Sequence, residues 1–379
     1  MKKSLLALAI IAASTTATAA TVYDKDGTSL AVGGRVQAVV YNGKADAAEI
    51  AEHDAGLVNS ARLNIEGNTK VNDYVSAFAF SEWNMADGNT SGQSWGDSIN
   101  TREQYVGADY GDFGKILGGK TYDAANAVLA ATDVFEDFGA RQQGSINNDR
   151  RTGMFRYVYD NNGFFGSVSY ETASDETTVA GQDANVEGGF AAAAGYTNDN
   201  VVFGPLSFKA GYSYVKGQDD SDELKGSITK YGEDGTWGFD DFKIISASVS
   251  WGSTDSGLYL GALYNTQRAK QRLDGAQSSY KNKVKGYEFV VGYTFDNGVG
   301  LFTGYNFTDA KTVDPEADPS RSDSAIYRRV PVYVNYAIND NFNIWGEAEF
   351  DANSTSEKDH QLQGGETGTM LSAGARYTF

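Results

Sequence analysis

The chain has 379 residues, a formal net charge of −19, two histidines and no cysteine. Lack of cysteine excludes a disulfide framework and thiolate chemistry, and the acidic balance argues against nucleic acid, whose binding needs a basic face. Mean hydropathy is −0.42, but this average says little about a wall in which only alternate residues face lipid, so periodicity has to decide the class.

Met1-Lys2-Lys3, the apolar run from Leu5 to Ala13 and the small-residue triplet Ala17-Thr18-Ala19 make the three regions of a secretory leader. Residues 1–19 are therefore expected to be a signal peptide, and residues 20–379 the mature domain. Losing Lys2 and Lys3 takes the formal charge from −19 to −21, two lysines fewer. Beyond the leader no apolar run reaches the roughly 18 residues that a membrane helix needs. Forty-four glycines against four prolines suit strands joined by tight turns, and the 23 tyrosines suit membrane interfaces.

Alternating segments follow at 29–42, 58–70, 74–86, 100–110, 113–121, 151–160, 164–172, 187–198, 205–216, 241–252, 257–268, 284–295, 299–308, 324–338, 342–353 and 367–379, about sixteen strands. Leu63, Ile65 and Gly67 alternate with Arg62, Asn64 and Glu66. Leu258, Leu260, Ala262 and Tyr264 alternate less cleanly with Tyr259, Gly261 and Leu263. Short turns are expected at Val71-Asn72-Asp73, Asn161-Asn162-Gly163, Asp296-Asn297-Gly298 and Asn339-Asp340-Asn341. Long polar stretches lie between them, at 43–57, 86–99, 173–186, 217–240, 269–283, 309–323 and 354–366. Pro331 falls inside a strand-like run and predicts a bulge or a strand end. The last segment places Phe379, Tyr377, Ala375, Ala373 and Leu371 on one face, and Thr378, Arg376, Gly374 and Ser372 on the other. Leader, even strand count, one-sided loop lengths and aromatic terminus together predict an all-β, transmembrane antiparallel barrel. A soluble sandwich would explain the alternation alone.

Several segments resemble the general diffusion porins of Gram-negative outer membranes, the OmpC/OmpF-like trimeric type. They are Ala20-Thr21-Val22-Tyr23-Asp24-Lys25-Asp26-Gly27 at the mature start, Ala61-Arg62-Leu63-Asn64-Ile65-Glu66-Gly67, Asn100-Thr101-Arg102, Thr132-Asp133-Val134-Phe135-Glu136-Asp137-Phe138-Gly139 and the terminal Phe379. The fourth is similar to the "PEFGG" loop of that family. The resemblance implies a homotrimer of 16-stranded barrels in the cell outer membrane. It also implies an inward-folded third loop at about 122–149, whose acids face a basic ladder across the pore. Arg62 and Arg102 match the ladder, Arg35 stands where a lysine is usual, and either Arg150 or Arg151 takes the fourth place. Asp133 and Asp137 match the loop acids, and Glu136 replaces the usual proline. Loop 86–99 matches the segment that latches onto the next protomer. Tyr377 and Phe379 match the terminal assembly signal read by the barrel-assembly machinery, and the other partners implied are outer-membrane lipid and lipopolysaccharide.

The residues themselves support part of this. Arg35, Arg62 and Arg102 fall on the polar phase of their strands, and an arginine facing lipid at mid-membrane costs roughly 2–4 kcal/mol. Glu82 and Arg376 share that phase and are expected to line the pore as ordinary solvated charges. Ala77, Ala79 and Ser81 are small residues on an outer phase, suited to close protein packing. The acidic runs 219–223 and 314–318 read as solvated loop tips. His53 and His360 carry no accompanying motif, so no enzyme, cofactor or metal site is expected. The expected function is a passive channel for small hydrophilic solutes and ions, mildly selective for cations. The alternative is a barrel whose loops serve adhesion or reception, with limited conductance.

Overall fold

A computed structural model describes residues 19–42, 56–87, 99–139, 150–179, 182–218, 228–229, 236–273, 280–313, 322–353 and 368–379. Its strands are β1 (Ala20–Lys25), β2 (Thr28–Tyr41), β3 (Gly56–Lys70), β4 (Ser76–Asp87), β5 (Ile99–Asp109), β6 (Lys115–Tyr122), β7 (Arg150–Asn161), β8 (Phe164–Glu171), β9 (Ser174–Val179) and β10 (Gln182–Val201). Then follow β11 (Gly204–Gly217), β12 (Ile228–Thr229), β13 (Thr236–Gly252), β14 (Gly257–Leu273), β15 (Tyr280–Thr294), β16 (Val299–Val313), β17 (Ser322–Asn339), β18 (Phe342–Asp351) and β19 (Met370–Thr378). Setting aside β1, β9 and β12, which are short appendages, sixteen strands pair antiparallel with their neighbours. The ring closes where β19 meets β2 and where β8 meets β10. Closure removes every free sheet edge, which a bilayer demands because its core offers no water to an unpaired amide.

Alternation sorts the two faces. On β15 Phe289, Val291 and Tyr293 are exposed, while Glu288 and Val290 between them are buried. On β2 Val36 and Val40 are exposed, and Val39 and Tyr41 are buried. Large apolar side chains thus point outward and most buried charges point inward, the inverse of a soluble protein.

One end of the barrel carries short connections. Asn162 and Gly163 both have positive φ (53° and 81°), as a two-residue hairpin with the twist of its strands requires. The turns expected at 71–73, 296–298 and 339–341 are also present, between β3 and β4, β15 and β16, and β17 and β18. Further tight connections at 110–114, 202–203 and 253–256 complete that end among the described residues. The long connections all lie at the other end.

Each of the sixteen expected segments is a wall strand, with differences at the edges. β13 and β14 reach into stretches read as loop, 236–240 and 269–273. Over 236–240 Trp237 and Phe239 alternate with Thr236, Gly238 and Asp240, a strand signal at the end of a long polar stretch, and over 269–273 the consecutive polar residues Lys270, Gln271 and Arg272 interrupt the alternation. The first strand is preceded by β1, which turns at Asp26-Gly27 and pairs with the lower half of β2. β19 pairs with the upper half, so β1 and β19 share one column. The terminus meets that column at Gly34, whose amide donates to the Phe379 carbonyl at 2.8 Å and whose carbonyl accepts from the Phe379 amide at 2.9 Å. A Cβ at position 34 would meet the Phe379 ring at 2.9 Å.

Pro331 corrects an expectation. It lies well inside β17, and the register across it is unchanged from Thr303↔Val332 to Asn306↔Arg329, so there is neither bulge nor strand end. The ladder to β16 simply lacks pairs at Gly304 and Tyr305, while the Thr303 hydroxyl donates to the Pro331 carbonyl at 2.9 Å. The ring is accommodated beside Gly304, which has no side chain to obstruct it.

Candidate functional site

The segment that follows β6 starts at Asp123 and runs along the buried face of the wall. Asp123 caps the 3₁₀ helix Ala124–Ala131, its Oδ1 accepting from the amides of Ala125 (2.9 Å) and Asn126 (3.1 Å). Its Oδ2 accepts from Arg151 Nη2 (3.0 Å) and from the Ser213 hydroxyl (2.6 Å), and Arg151 Nη1 donates to Glu171 at 2.6 Å. Asp123, Arg151 and Glu171 are each at most 2% exposed, so one guanidinium joins two carboxylates within protein. The apolar side of the helix is seated on small residues. Ala124 and Ala125 pack on Ala191, and Val128 and Leu129 on Ala193 and Leu263. Opposite them is Gly211, where a Cβ would meet Val128 at 3.0 Å and Ala125 at 3.1 Å.

The next residues are stitched strand by strand. Tyr259 on β14 donates to the Ala131 carbonyl (2.8 Å), and the Thr132 hydroxyl bonds Glu288 on β15. Glu347 on β18 accepts four consecutive amides, from Glu136 (2.9 Å), Asp137 (2.8 Å), Phe138 (2.8 Å) and Gly139 (3.1 Å). Asp137 accepts from Tyr41 (2.8 Å), Trp345 (2.9 Å) and Ser372 (2.5 Å). Phe138 is buried in an apolar cluster with Tyr41, Tyr259, Phe302, Tyr333 and Trp345, against which Phe135 packs.

Glu136 points the other way. Its carboxylate forms a two-pronged pair with Arg376, whose guanidinium also donates to Gln37 (3.0 and 2.7 Å), and it lies 3.9 Å from Arg35. Arg35 stands directly opposite Arg62 across β2 and β3. Arg62 Nε donates to Asn84 (3.1 Å) and is 3.9 Å from Glu82. Glu82 is held more closely by Arg102, at 2.6 Å. Arg150 lies 3.6 Å from Glu103 and 4.2 Å over the Tyr122 ring. Arg376, Arg35, Arg62, Arg102 and Arg150 therefore form a row from β19 round to β7, with Glu82 and Glu103 set among them.

Of the residues singled out from sequence, Arg35, Arg62, Arg102, Glu82, Arg376 and Glu136 come together here. Arg376 makes closer contact with the segment than any other arginine of the row. Of the two candidates for the fourth arginine, Arg150 joins the row, whereas Arg151 is buried at the base of the segment. Asp137 bonds Tyr41, Trp345 and Ser372 on β2, β18 and β19 and not the arginines, and Asp133 is exposed. Tyr377 and Phe379 stack at 6.5 Å on the outer face. Residues 1–18, His53, His360, most of loop 86–99 and both acidic runs lie outside the described residues. Sequence reading passed over Asp123, Glu103 and Glu347. Glu347 was in view as the middle of the alternating buried set Trp345, Glu347 and Glu349, three inward positions on one strand.

A family model described as Gram-negative porin matches residues 5–356. Porin-like protein L of Photobacterium profundum is 28% identical over the whole of both chains, and outer membrane protein Omp-EA of Erwinia amylovora 26% over the whole of both. Among solved structures, OmpF of Salmonella typhi, in a complex with daunomycin, superposes with a TM-score of 0.70 at 17% identity, covering 95% of this chain and all of that one. The trimer form of OmpT of Vibrio cholerae gives 0.65 at 15%, covering 93% and 100%.

Proposed function

The chain belongs to the Gram-negative porin family, multi-pass outer-membrane barrels that act as passive channels and not as enzymes, and on that premise we propose that residues 123–139 fold into the lumen and form its constriction. The observation that carries this reading is Glu136, bound to Arg376 on β19 and close to Arg35 on β2 while the amides around it are bound to Glu347 on the neighbouring β18, after a segment whose base is held at Arg151 on β7. A segment held in turn by β7, β11, β14, β15 and β18 lines that side of the lumen and narrows what is left. Solutes then pass between it and the remaining arginines, Arg62, Arg102 and Arg150. Selection is by size and by the transverse field between carboxylates and guanidinium groups, with no bond chemistry.

Mild cation preference follows from the balance of charge. The five arginines face Glu82, Glu103 and Glu136 directly, and Asp133, Asp137 and Glu347 add three acids on the segment and its seat. The chain as a whole is strongly acidic, which raises cation concentration at the mouth. Reversal potential of the refolded protein in a planar bilayer under a salt gradient tests both claims. Large stepwise openings with a potential on the cation side are expected, and a clear anion preference would overturn the selectivity.

The assembly proposed is a homotrimer joined through β2–β6. The outward residues there include Gly67, Ala79, Ser81 and Gly118, which leave a groove edged by Leu30, Ile65, Trp83 and Val106. Small residues let protein surfaces approach closely where lipid gives no hydrophobic drive. Closure of the channel in three equal steps is the expected signature. The mature chain starts at Ala20, which an intact mass of the outer-membrane protein tests directly. Tyr377 and Phe379, on the lipid side at the seam, are the residues proposed to be read by the barrel-assembly machinery. Their replacement by alanine should lower the yield of folded barrel in cells while leaving refolded channels unchanged.

A further inference from the structure

Between the arginine row and the short-turn end, the lumen wall carries a patch that the constriction does not use. On β4 the usual pattern is inverted. Its outward positions are the small Ala77, Ala79 and Ser81, while Phe78 and Phe80 share the inward face of Glu82 and are half-buried. Phe80 stands directly opposite Glu66 on β3 and Tyr105 on β5. Its ring stacks on Tyr105, with centroids 5.3 Å apart and planes 28° from parallel, and Phe78 meets the same tyrosine edge-on at 6.3 Å. Phe78 fills the space over Gly107, where a Cβ would run into its ring. Glu66 lies four residues from Arg62 toward the short turns, roughly 13 Å along the strand.

The lumen face of such a barrel is polar, and rings on it are out of pattern. Tyr105, 8% exposed, serves as packing, but Phe78 and Phe80 keep part of their surface toward the water. Glu66 is half-buried and makes no hydrogen bond or ion pair among the described residues. The cations around it are engaged elsewhere. Lys115, within electrostatic reach of Glu66, is paired with Asp109 at 3.3 Å, Arg102 with Glu82 at 2.6 Å, and Arg156 donates to Ser167 at 3.0 Å. The connections beside Glu66 at this end, 71–75 and 110–114, lie wholly within the described residues. A carboxylate without a counter-ion, next to ring faces that are themselves electronegative, suits a cation with an apolar body.

We propose that Glu66, Phe80 and Phe78, with Tyr105 packed against both rings, form a subsite for a small methylated ammonium ion on the short-turn side of the constriction. The inference rests on the channel reading and names a solute class for it. An inorganic cation gains from Glu66 alone. A methylated ammonium gains from the rings as well, and it needs no hydrogen-bond acceptor beyond the carboxylate's charge. Such binding is weak, and it has to be, since a permeating solute must leave as readily as it enters.

The test is a titration of the refolded mature chain with tetramethylammonium, in a maltoside detergent that has no ammonium headgroup. Binding is read by saturation-transfer NMR on the methyl protons, and saturable binding in the millimolar range is expected. Glu66→Gln keeps the shape of the side chain and should weaken binding about tenfold, the loss of one charge pair. Phe80→Leu, with the charge intact, should weaken it about threefold, and Phe80→Tyr, which keeps a ring, should bind as wild type. Phe78→Leu reads the contribution of the rings a second time, should the first variant give little folded barrel. tert-Butanol, a neutral molecule of similar shape, should not distinguish Glu66→Gln from wild type. Equal affinity of Glu66→Gln and wild type would overturn the subsite. Wild-type affinity in both leucine variants would also overturn it, leaving Glu66 a bare charge open to any cation. Binding in micelles does not need a conducting channel. A wild type that conducts but binds no tetramethylammonium therefore overturns the subsite alone, and one that binds but never conducts sinks the channel reading alone.

Discussion

The two halves of the interior use their polar side chains differently. On β14–β19 and the top of β2, almost every inward polar group near the segment 123–139 is bonded to it. Glu347 takes four amides, and Asp137 accepts from Tyr41, Trp345 and Ser372. On β3–β7, the arginines of the row bond neighbours on the same wall among the described residues, Arg62 to Asn84 and Arg102 to Glu82. The first half holds protein in place, and on the proposed reading the second is left to meet solute. A substitution in the first half should therefore act on stability, and on pore size as well where it frees the segment. One in the second should act on transport and leave stability nearly alone.

The largest effect is expected from Glu347→Ala. Four amide donors lose one acceptor, and hydrogen bonds to a charged group are worth about 1.5–3 kcal/mol each before water replaces some of them. The tip should detach, giving a larger and noisier single-channel conductance together with a lower unfolding midpoint in denaturant. Higher conductance with an unchanged midpoint would break the coupling that distinguishes the two halves.

That residue also marks the limit of what the sequence discloses. The wall was legible because each strand repeats the same local signal, a lipid face alternating with a water face. The signal was harder to read at the far ends of β13 and β14, where Trp237 and Phe239 follow a long polar stretch and Lys270, Gln271 and Arg272 interrupt the alternation. Arg35, Arg62 and Arg102 were legible because a charge on the polar phase of a lipid-spanning strand has only one affordable direction. Glu347 and its four amides are 208 to 211 residues apart, and no local pattern relates them. The same holds for Asp123 with Ser213, and for Gly211, whose missing side chain matters only because a helix from another part of the chain rests on it. Arg150 and Arg151 are adjacent, and only the tertiary partners, Glu103 for one and Asp123 with Glu171 for the other, separate the row from the base.

Glu136→Gln stands between the halves and should show it. The segment would keep its seat on Glu347, so the unfolding midpoint should move little. Arg376 and Arg35 would lose their shared anion, while Arg376 stays bonded to Gln37 and an amide oxygen at position 136 still accepts from it. Reversal potential should shift toward anions, and conductance should rise as the corner near β19 opens. A large loss of stability instead would mean that the pair is structural and that the boundary between the halves lies nearer to Arg62.

A smaller effect, on transport alone, is expected from Arg62→Gln. Arg35 lies directly opposite it, and like charges so placed disfavour the fold by roughly 0.2–1 kcal/mol. Removing one should leave stability equal or slightly higher while moving the reversal potential further toward cations. A lowered midpoint would show that Arg62 supports the wall and does not merely line it.

Tyr41→Phe should have the smallest effect on transport and the most exacting outcome. The ring stays in the apolar cluster with Phe138, 6.2 Å away and edge-on, and only the hydroxyl is lost. Asp137 keeps two of its three donors, Trp345 and Ser372, so the cost should be one neutral-to-charged hydrogen bond, about 1.5 kcal/mol or somewhat more. The segment, still held by Glu347, should not move, and conductance and selectivity should equal wild type. The stitched half is thus redundant by construction. A single thread can be cut at a cost in stability alone, whereas Glu347, which gathers four threads on one carboxylate, cannot be removed without changing the opening itself.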